Sequence, residues 1–320
     1  MSYLYINEPG TVLGFSDNCF TVSYKNGMLR KIPSETLEAI SLFGPVQVTT
    51  QCVDKCLNKG INISYYSKTG TYFGRLVSTN HVNVFRQREQ VKMTECNSFR
   101  LELSKKIIRA KLNNQAIILR RYQRNAKEIS LQEINEILLY EKKIDRCESI
   151  EQIMGYEGRA AKAYFEGLAR VIDQDFKFRG RNRRPPRDPF NSMLSLGYSV
   201  LMNEIYGEIE NRGLNPYFGF LHSDREKHPT LASDLMEEWR AVIVDSVVMS
   251  LINGHEISKD NFTTDGAKAG VFIDKNGMKT FIRKMEMKFS AKTKYISQIN
   301  YAVSFRRAIG MQVGSFIQAI

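Results

Sequence analysis

The sequence predicts an α+β fold: a small N-terminal β-rich domain over residues 1–80, followed by a larger all-α domain over residues 81–320. Three observations point there. Up to about Leu76, short apolar runs are separated by Gly, Asn and Asp, the punctuation of strands and turns. Beyond His81, long runs carry apolar residues three and four apart with few breakers. A chain of 320 residues with 42% hydrophobic side chains suffices for one large core or two modest ones.

In the first region, strands are expected over Tyr3 to Ile6, Thr11 to Phe15, Met28 to Ile32, Val46 to Val48, Ile61 to Tyr66 and Thr71 to Leu76. Phe20-Thr21-Val22-Ser23-Tyr24 followed by Lys25-Asn26-Gly27 is a hairpin signal, and Gln51 to Asn58 reads as a helix. Such a domain presents sheet edges for pairing.

In the second region, helices are expected over Asn97 to Asn125 and Ser130 to Arg146. Ser149-Ile150-Glu151-Gln152 is a capping box that opens a helix running to about Ile172. Phe176 to Asp188 (FKFRGRNRRPPRD) is a basic loop, because Gly180, Pro185 and Pro186 do not continue a helix. Further helices are expected over Pro189 to Asn211, Thr230 to Ile252, Gly277 to Phe289 and Thr293 to Gln312.

The net charge of +12, from 46 Lys+Arg against 34 Asp+Glu, favours a polyanionic partner, with nucleic acid foremost. The five cysteines (Cys19, Cys52, Cys56, Cys96, Cys147) are odd in number, and the CxxxC of Cys52 and Cys56 has no second Cys/His pair to complete a zinc site. They are expected to be reduced thiols. No basic-then-apolar leader opens the chain, and Ala241 to Ile252 is short and interrupted by Asp245, Ser246 and Ser250. The expectation is a soluble, cytoplasmic chain with no membrane association.

Helical periodicity singles out two sets of carboxylates. Ile153, Glu157, Ala160, Tyr164, Leu168 and Val171 share one stripe, so Glu157 points where apolar residues point, with Gly155 and Gly158 beside it to allow close approach of another backbone. Asp234, Glu237, Ala241, Val244 and Val248 share another, with Glu238 about 100° away from Glu237. A carboxylate on a buried stripe needs compensation, by a cation or by an Arg or Lys partner, and helix-start acids also complement the macrodipole. His222 closes the apolar segment Gly219-Phe220-Leu221-His222 and is either a structural histidine or an imidazole ligand.

Together Glu157, His222, Glu237 and Asp234 form a mixed oxygen and imidazole set suited to Mg2+ or Mn2+ and to phosphodiester chemistry. Lys177, Arg179, Arg181, Arg183, Arg184 and Arg187 of the basic loop would track phosphates, or else form a solvated loop. Tyr206 and Tyr217 flank the approach to His222 and are candidates for stacking on a base, or for plain packing. Further charge on Arg100, Lys105, Lys106, Arg109, Lys111, Arg120, Arg121 and Arg124, and on Lys279, Arg283, Lys284, Lys288, Lys292 and Lys294, is read as spread over helix faces.

GYEGRAAKAYF, RPPRDPFNSMLSLGYSVL and GLNPYFGFLHSDREKHPTLASDLMEEWR follow one another in that order. With them the chain resembles the family of the first-numbered CRISPR-associated protein, the endonuclease-integrases of spacer acquisition, over essentially its whole length. The resemblance implies an N-terminal β domain for dimerisation and a helical domain for catalysis and DNA binding. It puts the family's metal-binding glutamate on Glu157, its histidine on His222 and its last acidic ligand on Glu237, with Asp234 an additional acidic position. His228 has no counterpart in that pattern. It further implies a homodimer flanking a small ferredoxin-like CRISPR-associated partner, and double-stranded DNA, prespacer and CRISPR repeat, as substrate. The alternatives are a branched-DNA repair nuclease, with water as nucleophile, and a non-catalytic nucleic-acid-binding scaffold.

Overall fold

A computed structural model describes residues 2–123, 131–182, 185–265 and 270–320, in two compact units, Met1–Val82 and Asn83–Ile320. The first unit holds β1 (Ser2–Ile6), β2 (Val12–Ser16), β3 (Cys19–Ser23), β4 (Leu29–Pro33), β5 (Leu37–Phe43), β6 (Gln47–Val48), α1 (Thr50–Lys59), β7 (Asn62–Tyr66) and β8 (Tyr72–Leu76). One sheet runs β1-β5-β7-β8, with β5 parallel to both β1 and β7; the other runs β4-β3-β2-β6. Leu13, Phe20, Leu42 and Ile63 fill the space between them, and Cys52 and Cys56 turn inward from α1. All five cysteines are free thiols.

The hairpin β2–β3 is in register Leu13 opposite Val22, so the alternating residues Phe20 and Val22 reach the core. The sequence reading omits β5. Its residues Leu37, Glu38 and Ala39 favour helix, but the strand sits between two parallel partners, and burial of Ile40 and Leu42 outweighs local propensity.

The second unit is helical: α2 (Val84–Thr94), α3 (Asn97–Gln123), α4 (Leu131–Ile144), α5 (Ile150–Val171), α6 (Pro189–Asn211), α7 (Thr230–Met236), α8 (Ser246–Asn253), α9 (Lys275–Ser290) and α10 (Phe305–Ala319). A π-helical stretch, Arg240–Asp245, separates α7 from α8. Two short antiparallel pairs interrupt the all-α expectation, β9 (Phe262–Asp265) with β10 (Gly270–Ile273) and β11 (Lys292–Thr293) with β12 (Val303–Ser304). The second pair corrects the helix expected from Thr293. That helix starts only at Phe305, where the Ser304 side chain accepts the Arg307 amide as an N-cap. No helix among the described residues is long and apolar enough to cross a membrane.

The α5 stripe behaves as the 3.6-residue period requires, whereas the second one passes into the π-helical stretch, where residues 241–249 are buried all round. Ile153, Ala160, Tyr164 and Leu168 of α5 are fully buried, as are Ala241, Val244 and Val248 further along. At the α5 start the Gln152 amide donates to Ser149 Oγ as expected, while the Gln152 side chain reaches back one residue further, accepting the Glu148 amide in place of the Ser149 one.

Candidate active site

Glu157 and Glu237 come together around a lysine. Lys111 of α3 is 8% exposed, and its ammonium lies 2.5 Å from Glu157 Oε1 and 2.5 Å from Glu237 Oε2. The sequence reading counts Lys111 among helix-face charges; the structure corrects that, because this position of α3 faces α5 and the π-helical stretch. Arg240 Nη2 contacts the other oxygen, Glu237 Oε1, at 3.0 Å. Burial alone would raise the Glu237 carboxyl, but Arg240 and Lys111 hold it down at about 2. Burial likewise opposes the Lys111 charge, and Glu237 followed by Glu157 keeps that ammonium above its ordinary range. Glu237 Oε2 is buried, and the Lys111 ammonium that it faces is shared with Glu157.

His222 stands on the connection between α6 and α7, which is held from both sides. Gln90 of α2 donates to the carbonyls of Asn215 and Phe218 and accepts from the Asn215 amide. Asp234, fully buried, accepts the amides of Phe220 at 2.7 Å, Leu221 at 2.9 Å and His222 at 3.2 Å. A side chain at Gly219 would collide with Thr230 Cγ2 at 2.3 Å, so glycine is what lets the loop approach α7 this closely. Asp234 Oδ1 is also 2.7 Å from His222 Nδ1. Since a carboxylate only accepts, Nδ1 carries the hydrogen and the neutral ring keeps its lone pair on Nε2. The hydrogen bond to Asp234 raises the His222 pKa, burial opposes this, and the charges of Asp234 and Glu237 add to the rise.

Glu238 turns away to Tyr295 Oη and Gln312 Nε2, at 2.9 and 2.7 Å. His228 Nε2 pairs with Ser233 Oγ at 2.9 Å. Tyr206 and Tyr217 pair with each other edge to face, hydroxyls 3.4 Å apart. In the basic loop Lys177, Arg179 and Arg187 are exposed, whereas Arg181 turns inward to Asn191 Oδ1 and Ser195 Oγ. Arg183, Arg184 and Arg124 lie outside the described residues. Gly155 and Gly158 face open space, so no backbone approaches them.

A cavity of about 740 Å3 opens beside the carboxylates, lined by Lys111, Glu157, Phe165, Arg181, Tyr198 and Arg240, among others. The guanidiniums of Arg181 and Arg240 lie 5.3 and 4.8 Å from the Tyr198 ring centroid. At its floor Asp245 accepts from Tyr164 Oη at 2.9 Å and Tyr198 Oη at 2.6 Å, and burial pushes its carboxyl up to about 6. Sequence reasoning passed over Asp245, Tyr198 and Arg240. The available signals were an aspartate inside an apolar run and an arginine three residues after Glu237.

Among the described residues, no three His, Cys, Asp or Glu side chains are gathered into a set that holds a metal as they stand. Yet two buried carboxylates already share one cation, and an imidazole close enough to feel Glu237 offers Nε2. The donor chemistry therefore fits a divalent cation at the point where the Lys111 ammonium sits.

A family model described as CRISPR associated protein Cas1 matches residues 4–287. The CRISPR-associated endonuclease Cas1 of Mycobacterium tuberculosis is 35% identical, covering 100% of this chain and 94% of that protein. Among solved structures, a casposase bound to integration product superposes with TM-score 0.88 at 21% identity, covering 99% of this chain and 90% of that one. The Cas6-RT-Cas1–Cas2 complex gives 0.84 at 22% identity, covering 99% of this chain and 34% of that one. The family model and this relative place the molecule in the class of CRISPR-associated proteins. The chain belongs to the Cas1 family.

Proposed function

We propose that this chain is a divalent-metal-dependent DNA integrase in which Glu157, His222 and Glu237 hold Mg2+ or Mn2+. A DNA 3′-hydroxyl attacks a phosphodiester of a CRISPR repeat: it gives up its proton as a new P–O bond forms, the repeat's own P–O3′ bond breaks, and the displaced 3′-oxygen takes up a proton, so no net proton is consumed. No covalent enzyme intermediate is needed. The observation that carries this is the convergence of Glu157, Glu237 and Lys111 from three elements at the edge of a cavity walled by arginines.

A divalent cation at these carboxylates supplies Lewis-acid polarisation of a phosphodiester oxygen. The protein's own groups do the rest. Asp234 fixes the His222 ring and tautomer, Arg179, Arg181 and Arg240 present positive charge to a strand entering the cavity, and exposed Lys177 and Arg187 meet phosphates outside it. Support for joining comes from the likeness to the casposase bound to integration product. Support for a CRISPR-associated protein partner comes from the likeness to the Cas6-RT-Cas1–Cas2 complex; that this partner is small and ferredoxin-like and is flanked by homodimers of this chain is part of the proposal. The β-rich unit, whose sheets end in β1, β8, β4 and β6, is the proposed homodimer surface.

One observation favours the scaffold alternative: Glu157 and Glu237 already have a buried lysine partner. The test mixes the protein and its partner with a duplex bearing 3′-hydroxyl ends and a plasmid carrying a repeat, with and without Mn2+. Metal-dependent joining lost in Glu157→Ala and His222→Ala, with DNA binding retained, is the expected result. Cleavage without joining supports the repair nuclease, and the absence of both products supports the scaffold.

A further inference from the structure

We propose that Lys111 is an exchangeable counter-cation: its ammonium holds Glu157 and Glu237 together, and a divalent cation binds by displacing it. This rests on the metal-site assignment above. One ammonium lies at 2.5 Å from an oxygen of each carboxylate, so the place of closest joint approach to both is taken by this group. A cation bound by the same two oxygens and the ammonium cannot share that place, because like charges at such a separation repel strongly in a buried site.

Three features make the exchange feasible. A single ammonium is divided between two carboxylates, with its hydrogen bond aimed at Glu157 Oε1, so neither acid holds it alone. Lys111 also lines the cavity, into which its four-carbon stem can swing the ammonium without moving α3. Arg240, on the opposite oxygen of Glu237, remains and keeps that carboxylate in position while Lys111 leaves. The displaced ammonium then faces the space assigned to the DNA strand, where a phosphate replaces the lost carboxylates as its partner.

Removing the ammonium therefore weakens the metal-free site and strengthens metal binding. The experiment measures Mn2+ binding to the full chain by electron paramagnetic resonance of free Mn2+, together with thermal unfolding with and without Mn2+. The set is wild type, Lys111→Met, Lys111→Arg and Glu157→Gln. Lys111→Met is expected to unfold at lower temperature without metal, to be rescued by Mn2+ more than wild type is, and to bind Mn2+ at least about tenfold tighter. Lys111→Arg keeps a cation that makes more hydrogen bonds to the pair, and is expected to bind Mn2+ about tenfold more weakly than wild type.

Unchanged or weaker Mn2+ binding in Lys111→Met, while wild type binds and Glu157→Gln does not, overturns the exchange and leaves the metal site standing. No Mn2+ binding by wild type and Lys111→Met alike overturns the metal site and the exchange with it. If Lys111→Met does not fold, Lys111→Arg decides: affinity equal to wild type refutes displacement.

Discussion

Asp234→Ala is the most informative single change outside the carboxylate pair, because Asp234 acts through backbone. Its carboxylate accepts three amides and the His222 ring, and two of those amides belong to Phe220 and Leu221, which are 0% and 3% exposed. Alanine leaves these donors without an acceptor in a place water does not easily reach. At about 1–3 kcal/mol for each buried donor left unpaired, the two amides cost ~4 kcal/mol, a large share of the roughly 5–15 kcal/mol that holds a domain folded. Asn keeps one accepting oxygen and is expected to lose about half as much. The assay is urea unfolding followed by the fluorescence of Trp239, the single tryptophan, which is 1% exposed and belongs to the helical unit. A loss below ~1 kcal/mol in Asp234→Ala would refute the assignment of Asp234 as the organiser of the His222 loop.

Asp245 gives a pH signature. Its folded-state pKa, pushed from 3.8 to about 6 by burial, lies above the unfolded one, so the folded chain binds the extra proton. Stability from this group is therefore fully present below pH 3.8 and is lost as pH rises to about 6, a loss of ~3 kcal/mol at 1.36 kcal/mol per tenfold step. Asp245→Asn is expected to become more stable relative to wild type between pH 4 and pH 7 in urea titrations; parallel curves for the two proteins would contradict it. His222→Ala removes a ring that is 34% exposed and is expected to leave stability within ~1 kcal/mol of wild type while abolishing joining, so a large loss of stability would recast His222 as structural.

Much of this was legible from the sequence where a local rule governs. The N-cap at Ser149 sets the register of α5, and that register puts Glu157 on the stripe of Ile153, Ala160 and Tyr164. The same logic separates Glu237 from Glu238, which the structure sends to opposite partners, Lys111 and Gln312. What was not legible depends on partners distant in sequence. Lys111 on α3 looks like any helix-face lysine until α5 and the π-helical stretch close over it. Arg240 and Asp245 bound that π-helical stretch, whose altered phase no 3.6-residue template anticipates. Strand β5 is set by its two parallel neighbours, and the β11–β12 pair breaks a helix that periodicity alone would continue.

The central claim, that Glu157, His222 and Glu237 form one divalent-cation site, is tested most directly by anomalous diffraction from crystals soaked in Mn2+. A manganese peak in contact with both glutamates and His222 Nε2, with the Lys111 ammonium moved off the pair, is the predicted result. Lys111 still seated on both carboxylates, with no manganese beside them, would contradict it.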